Sequence, residues 1–203
     1  MKKNSKMKRI IKNTVYSLLL FSTIAVWSQD QFIADSQASK VNWKGFKPTG
    51  EHFGTVTVKS GSFTIKNSMI VNGEFQIDMN SIVVLDIPSD ESSNAKLVRH
   101  LKSNDFFNAK NHPFATFKIN SSEPKGSKTL VKGDLTIKDI THAVSFLADV
   151  TVDEETVILK SENFEIDRSK WDIKFKSQSF FSDLGDKFIS DDMELSVDVR
   201  AVK

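Results

Sequence analysis

The sequence predicts a mainly β, antiparallel fold with one helical excursion, on three observations. Apolar residues alternate with polar ones at period two along most of the chain, Gly, Pro, Asn and Ser mark short turns between the alternating runs, and only a stretch around residues 91–109 breaks the pattern. Period two buries one face of a strand and leaves the other wet. Short turns join antiparallel neighbours, whereas a parallel sheet would require crossover helices.

The elements follow in chain order. Residues 1–28 read as a signal peptide: Lys2, Lys3, Lys6, Lys8, Arg9 and Lys12 form a basic start, and Val15 to Trp27 supply a run of mostly apolar residues. That run falls short of the ~20 residues of a spanning helix, which disfavours the rival reading of a retained anchor. Ser28 is the small residue before a cut, with Val26 two residues ahead of it, so the mature chain is expected to start near Gln29 and to form one domain over 29–203. The implied location is the periplasm, with no stable membrane span in the mature chain.

Alternation then picks out the strands: Val41 and Trp43; Val56 and Val58; Phe63 and Ile65; Met69, Val71, Phe75, Ile77 and Met79; and Ala115, Phe117 and Ile119. It continues through Val131, Leu135 and Ile137, through Val144, Phe146, Ala148, Val150 and Val152, and through Met193, Leu195, Val197, Val199 and Ala201. Residues 156–166 alternate less cleanly, which makes eight or nine strands. Turn chemistry falls at 59–62 (KSGS), 66–68 (KNS), 122–128 (SEPKGSK) and 152–156 (VDEET). The helix is expected to be capped by Ser92 or Ser93, with acidic Asp90 and Glu91 at its start, Lys96, Arg99 and Lys102 toward its end, and an apolar stripe of Leu97, Val98 and Leu101. A second short helical turn is expected in NDFFNA, and Pro113 makes the chain extended again.

Composition narrows the function. Without residues 1–28, six of the 28 Lys and Arg are lost and none of the 26 Asp and Glu, leaving 22 against 26, so no basic field argues for nucleic acid. The absence of Cys excludes disulfides, thiol catalysis and thiolate metal sites. His52, His100, His112 and His142 follow no metal spacing, and no HExxH, GxSxG, GxxxxGK[ST] or GxGxxG motif occurs. No cofactor, metal or catalytic residue is therefore expected. A lipid-acting enzyme using His100, His112 or Asp167 as acid or base is the weaker alternative. Sixteen Phe stand against one Tyr, and that Tyr16 falls in the leader, which points to aromatic positions that are apolar throughout. A packed Phe core and a barrel with room for one ligand both fit.

Five blocks carry a family resemblance: NWKGFKPTGEHFGTVTVKSGSF, GEFQIDMNSIVVLD, LVRHLKSNDFFNAKNHPFATFKI, GDLTIKDITHAVSF and FEIDRSKWDI. Together they resemble the YceI-like family of exported bacterial lipid- and polyisoprenoid-binding proteins. The resemblance implies an extended, lipocalin-like, antiparallel eight-stranded β-barrel, with its helical insertion packed against it and a long-chain lipid or isoprenoid inside. By position it places Phe106, Phe107, Phe114, Phe117, Ile137 and Phe146 in the lining. With the inward alternation and the nearby tryptophans, the expected lining also includes Trp43, Phe63, Phe75, Ile77, Ile119 and Trp171, although Phe114 falls on the opposite face from Phe117. Where relatives carry Phe-Gly after the arginine, this chain has Trp171 and Asp172. His100, His112 and Arg168 are candidates for a polar cavity mouth, and Arg168 with Asp167 fits equally a turn with a surface ion pair. The expected function is a carrier or sequestering protein for that lipid, and a filled barrel acting as a stress-protection or interaction module is the alternative. A homodimer is compatible with the sequence.

Overall fold

The computed structural model describes residues 29–203, so the expected signal peptide lies outside the described residues. Eleven strands are present among those residues: β1 (Asp30–Ala34), β2 (Lys40–Lys47), β3 (Gly50–Lys66), β4 (Met69–Asp78), β5 (Val83–Val84), β6 (Phe114–Lys125), β7 (Lys128–Ile137), β8 (Ile140–Val152), β9 (Thr156–Ser161), β10 (Phe164–Asp167) and β11 (Asp192–Val202). One α-helix, α1 (Ser92–Lys102), lies between β5 and β6. Eight strands form a ring in the order β11, β2, β3, β4, β6, β7, β8, β9, and β9 closes it against β11. All neighbours in the ring are antiparallel, as the short turns predict. At one end β1 pairs with both β3 and β11 and sets Phe32, 2% exposed, into the core.

The sequence pattern misleads at three points, each for a reason visible in the register. The turn expected at 59–62 is absent, because β3 continues through it with a β-bulge between Val58 and Ser60. The extra residue moves the inward set from Val56 and Val58 to Phe63 and Ile65, so both pairs stay buried on one strand. A second irregularity pairs Thr64 with Asn72 but Ile65 with Ile70, which turns Ile70 inward and leaves Met69 exposed. The third is the imperfect run 156–166: Val157 and Leu159 face inward on β9, Phe164 and Ile166 on β10, and the parity changes across Glu162 and Asn163. Both pieces follow β11, β9 against residues 198–202 and β10 against 192–195, but only β9 also pairs with β8.

The helical excursion is shorter than expected. Glu91 is the N-cap residue, and the Ser93 hydroxyl donates to its carboxylate instead of capping the backbone. The NDFFNA segment forms turns, not helix, with Asn108 at φ 47°. Phe107 N–H bonds the Leu101 carbonyl and Ala109 N–H the Lys102 carbonyl, and this reversal carries Phe106 and Phe107 into the core. Asn94 fixes the helix to the loop before it by donating to the Val84 and Ile87 carbonyls at 3.1 and 2.7 Å.

Candidate functional site

The interior of the ring holds three small chambers in line. The first, about 70 Å³, lies between Val58, Phe63, Phe75, Phe117, Ile119, Phe146 and Phe164. The second, about 80 Å³, adds Trp43, Val56, Met79, Ile82, Phe107, Ile137 and Ile166. Val41, Ile77, Leu135 and Leu195 line both, so the two chambers share a wall. The third, about 80 Å³, shares Trp43, Phe107 and Met193 with the second and extends to Leu97, Leu101, Phe106, Arg168 and, at the surface, Lys47 and His52. The first two chambers have only apolar side chains in their walls.

Local pairing explains why the lining is what it is. Phe117 sits opposite Leu135 and Phe75, and its ring crosses Gly133, which offers no side chain to oppose it. Phe117 packs against Phe146 with ring centroids 5.6 Å apart, and Phe146 stacks on Phe164 at 4.7 Å. Phe117, Val144, Phe164, Leu195 and Val197 line the first chamber and are only half-buried.

Polar groups collect at the helix end. Arg168 is 1% exposed; its Nε–H donates to the Ser190 carbonyl at 2.9 Å, Nη1 to the Ile173 carbonyl, and Nη2 to the carbonyls of Ile189 and Phe175 at 2.9 and 3.1 Å. Asp191 stands 3.4 Å from Nη2. The guanidinium therefore ties residues 173–191 over the barrel end, and it lines the third chamber beside Phe106. On the rim, the ring of His52 meets the Asp86 carboxylate at 2.7 Å and Lys47 Nζ at 3.2 Å. Partial burial pushes the Asp86 carboxyl up, but the His52 hydrogen bond, the Phe53 N–H at 2.9 Å and its own backbone N–H hold it below the ordinary carboxylate range. The Trp43 Nε1–H is buried without a hydrogen-bond partner, the one orphaned donor among the described residues lining the second chamber.

The residues expected to line a cavity divide accordingly. Trp43, Phe63, Phe75, Ile77, Phe106, Phe107, Phe117, Ile119, Ile137 and Phe146 all line one or more of the three chambers. Phe114 does not: it begins β6 on the outer face, 43% exposed, as its parity against Phe117 requires. Trp171 is buried outside the chambers, with its Nε1–H on the Leu135 carbonyl and its ring nearly perpendicular to that of His142, centroids 5.1 Å apart. Of the polar candidates Arg168 reaches a chamber, whereas His100 packs on Phe106 and Phe175 and bonds Asp105, and His112 meets Asp139 at 3.1 Å. His52 and Asp86 take the rim position, and sequence reasoning missed them because 34 residues separate the partners. Phe164 was missed too, because it follows the parity break.

Comparison with known proteins follows the same lines. A family model described as the YceI-like domain matches residues 32–201. Protein YceI of Escherichia coli O157:H7 is 25% identical over 201 residues, covering 97% of this chain and 99% of that protein. UPF0312 protein plu2095 of Photorhabdus laumondii is 27% identical over 157 residues, 72% of either chain. Among solved structures, Burkholderia cenocepacia BcnA superposes with a TM-score of 0.65 at 21% identity, covering 83% of this chain and 99% of that one. A polyisoprenoid binding domain from Saccharophagus degradans, implicated in plant cell wall breakdown, gives 0.59 at 13% identity over 84% and 97%. Both structural likenesses concern the fold.

Proposed function

The chain belongs to the YceI-like family, and from that premise we propose that its barrel binds a single long apolar chain, a polyisoprenoid or similar lipid, as a carrier or sequestering protein. The observation that carries this reading is the row of chambers with shared walls, two of them lined by apolar side chains alone. The polyisoprenoid binding of the Saccharophagus domain, which has the same fold, supports the ligand class. The reading is one of binding, not catalysis. Residues 1–28 would direct export to the periplasm and be removed near Ser28, leaving residues 29–203 as one domain.

Magnitudes favour entry of a chain even though each chamber is small. A dry apolar cavity of roughly 150 Å³ takes up benzene, so a chamber of 70 or 80 Å³ is too small for a six-carbon guest until side chains turn aside. Turning a side chain off its preferred rotamer costs about 0.5–1.5 kcal/mol. Burying a five-carbon isoprene unit gains about 4 kcal/mol gross at ~0.8 kcal/mol per carbon, so each unit offsets several displaced rotamers. The small chambers also favour a second reading, a filled barrel acting as a stress-protection or interaction module. Native mass spectrometry of protein purified from the periplasm separates the two. A carrier retains one lipid mass or takes one up when offered decaprenol; a protein that stays at its bare mass in both cases is not a carrier.

A further inference from the structure

Between β8 and β10 the ring carries no ladder. β8 pairs with β9 through Ala148–Val152, and one further bond, Glu162 N–H to the Leu147 carbonyl at 2.8 Å, ends that contact. Beyond it the chain breaks at Glu162 and Asn163, and β10 continues along β11 alone. At the other margin the His142 ring donates from Nε2 to the Lys170 carbonyl at 3.0 Å. Between these two hydrogen bonds, no backbone hydrogen bond crosses from β8 to β10.

An outer groove of about 490 Å³ lies over this gap, lined by Ser145 of β8 and by Glu165 and Lys170 across from it. Val144 and Ile166 line the same groove, and each also lines an inner chamber, Val144 the first and Ile166 the second. The wall is one side chain thick here. From inside, Phe146 and Phe164 stack across the gap with planes 16° apart.

Each end of the barrel carries a cover, and the third chamber reaches the surface only at the rim formed by Lys47 and His52. Phe32 on β1 packs into the core at one end, and residues 173–191, tied by Arg168 through four carbonyls, cover the other. Parting a ladder strands N–H and C=O groups, whereas parting Val144 from Ile166 breaks no hydrogen bond. We propose that this seam is the lateral entrance of the barrel: an apolar tail passes between Val144 and Ile166 while its polar end stays in the groove with Ser145, Glu165 and Lys170. The proposal rests on the reading of the barrel as a holder of an apolar chain.

The chain has no cysteine, so introduced thiols are unique. Ser145→Cys with Glu165→Cys, both on the outer face, allows the seam to be stapled with a short bis-maleimide. Glu74→Cys with Lys118→Cys, opposite each other on β4 and β6, gives a staple across an intact ladder. Uptake of cis-parinaric acid, which fluoresces in apolar surroundings, is followed by stopped flow before and after stapling. The seam staple slows uptake about tenfold or more and the ladder staple leaves it unchanged. Val144→Ala, which thins the wall, speeds uptake without any staple. Equal uptake rates with and without the seam staple overturn the entrance. Absence of parinaric acid binding in the unstapled proteins overturns the binding reading itself, and the entrance with it.

Discussion

Arg168 ties together several segments at the helix end of the barrel. Its buried guanidinium satisfies four carbonyls and faces Asp191, so truncation leaves the carbonyls without this donor and Asp191 without its cationic neighbour. Arg168→Ala is expected to lose about 3–5 kcal/mol in urea unfolding, and Arg168→Lys to recover only part of it, because an ammonium cannot reproduce the planar fork. Asp86 has a different consequence. A carboxyl held below its unfolded pKa stabilises the fold fully above that unfolded value, and the contribution disappears as pH falls through the folded value. Stability therefore drops on acidification below roughly pH 4. Asp86→Asn removes that part of the slope, which unfolding midpoints measured across the acid range will report.

At the scale of elements, the first chamber depends on a glycine. Gly133 faces inward between Val131 and Leu135, and a Cβ there would meet the Lys118 carbonyl oxygen at 2.3 Å and the Phe117 ring at 2.7 Å. The backbone cannot yield as a flexible side chain would. Gly133→Ala is expected to cost about 1–3 kcal/mol in denaturant titrations and to weaken parinaric acid binding by displacing Phe117. Most elements were legible in the sequence, because one-sided strands need period two and hairpins need turn residues: the turns at 66–68, 122–128 and 152–156 all occur where their chemistry places them. The Lys-Ser-Gly-Ser stretch was not, since a bulge and a turn draw on the same small residues. The uneven alternation of 156–166 was visible as irregularity, but its cause, a strand that changes partner, lies in pairing with β8 and β11.

For the whole molecule, the sequence resolved the inward set better than the shape it encloses. Ten of the twelve expected lining residues reach a chamber. Phe114 points outward, as its parity with Phe117 already required, and Trp171 misses because side-chain direction in the 3-10 turn 168–171 follows from partners far along the chain, such as the Leu135 carbonyl. The interior divides into three chambers at walls shared by residues such as Phe107, Leu135 and Leu195, and that division is not encoded in any periodicity. A ligand that binds the folded barrel alone must stabilise it, by about 2.7 kcal/mol at a hundredfold excess over Kd. Thermal unfolding with and without decaprenol is expected to show that upward shift in Tm.

Tryptophan fluorescence locates the chain most directly. Residues 29–203 hold two tryptophans, Trp43 in the chamber walls and Trp171 outside them. In a Trp171→Phe protein, titration with a dibrominated long-chain fatty acid is predicted to quench Trp43 saturably at one chain per barrel. Quenching that never saturates, or an unquenched Trp43 while Trp171 in the parent protein responds, would contradict a chain held inside the barrel.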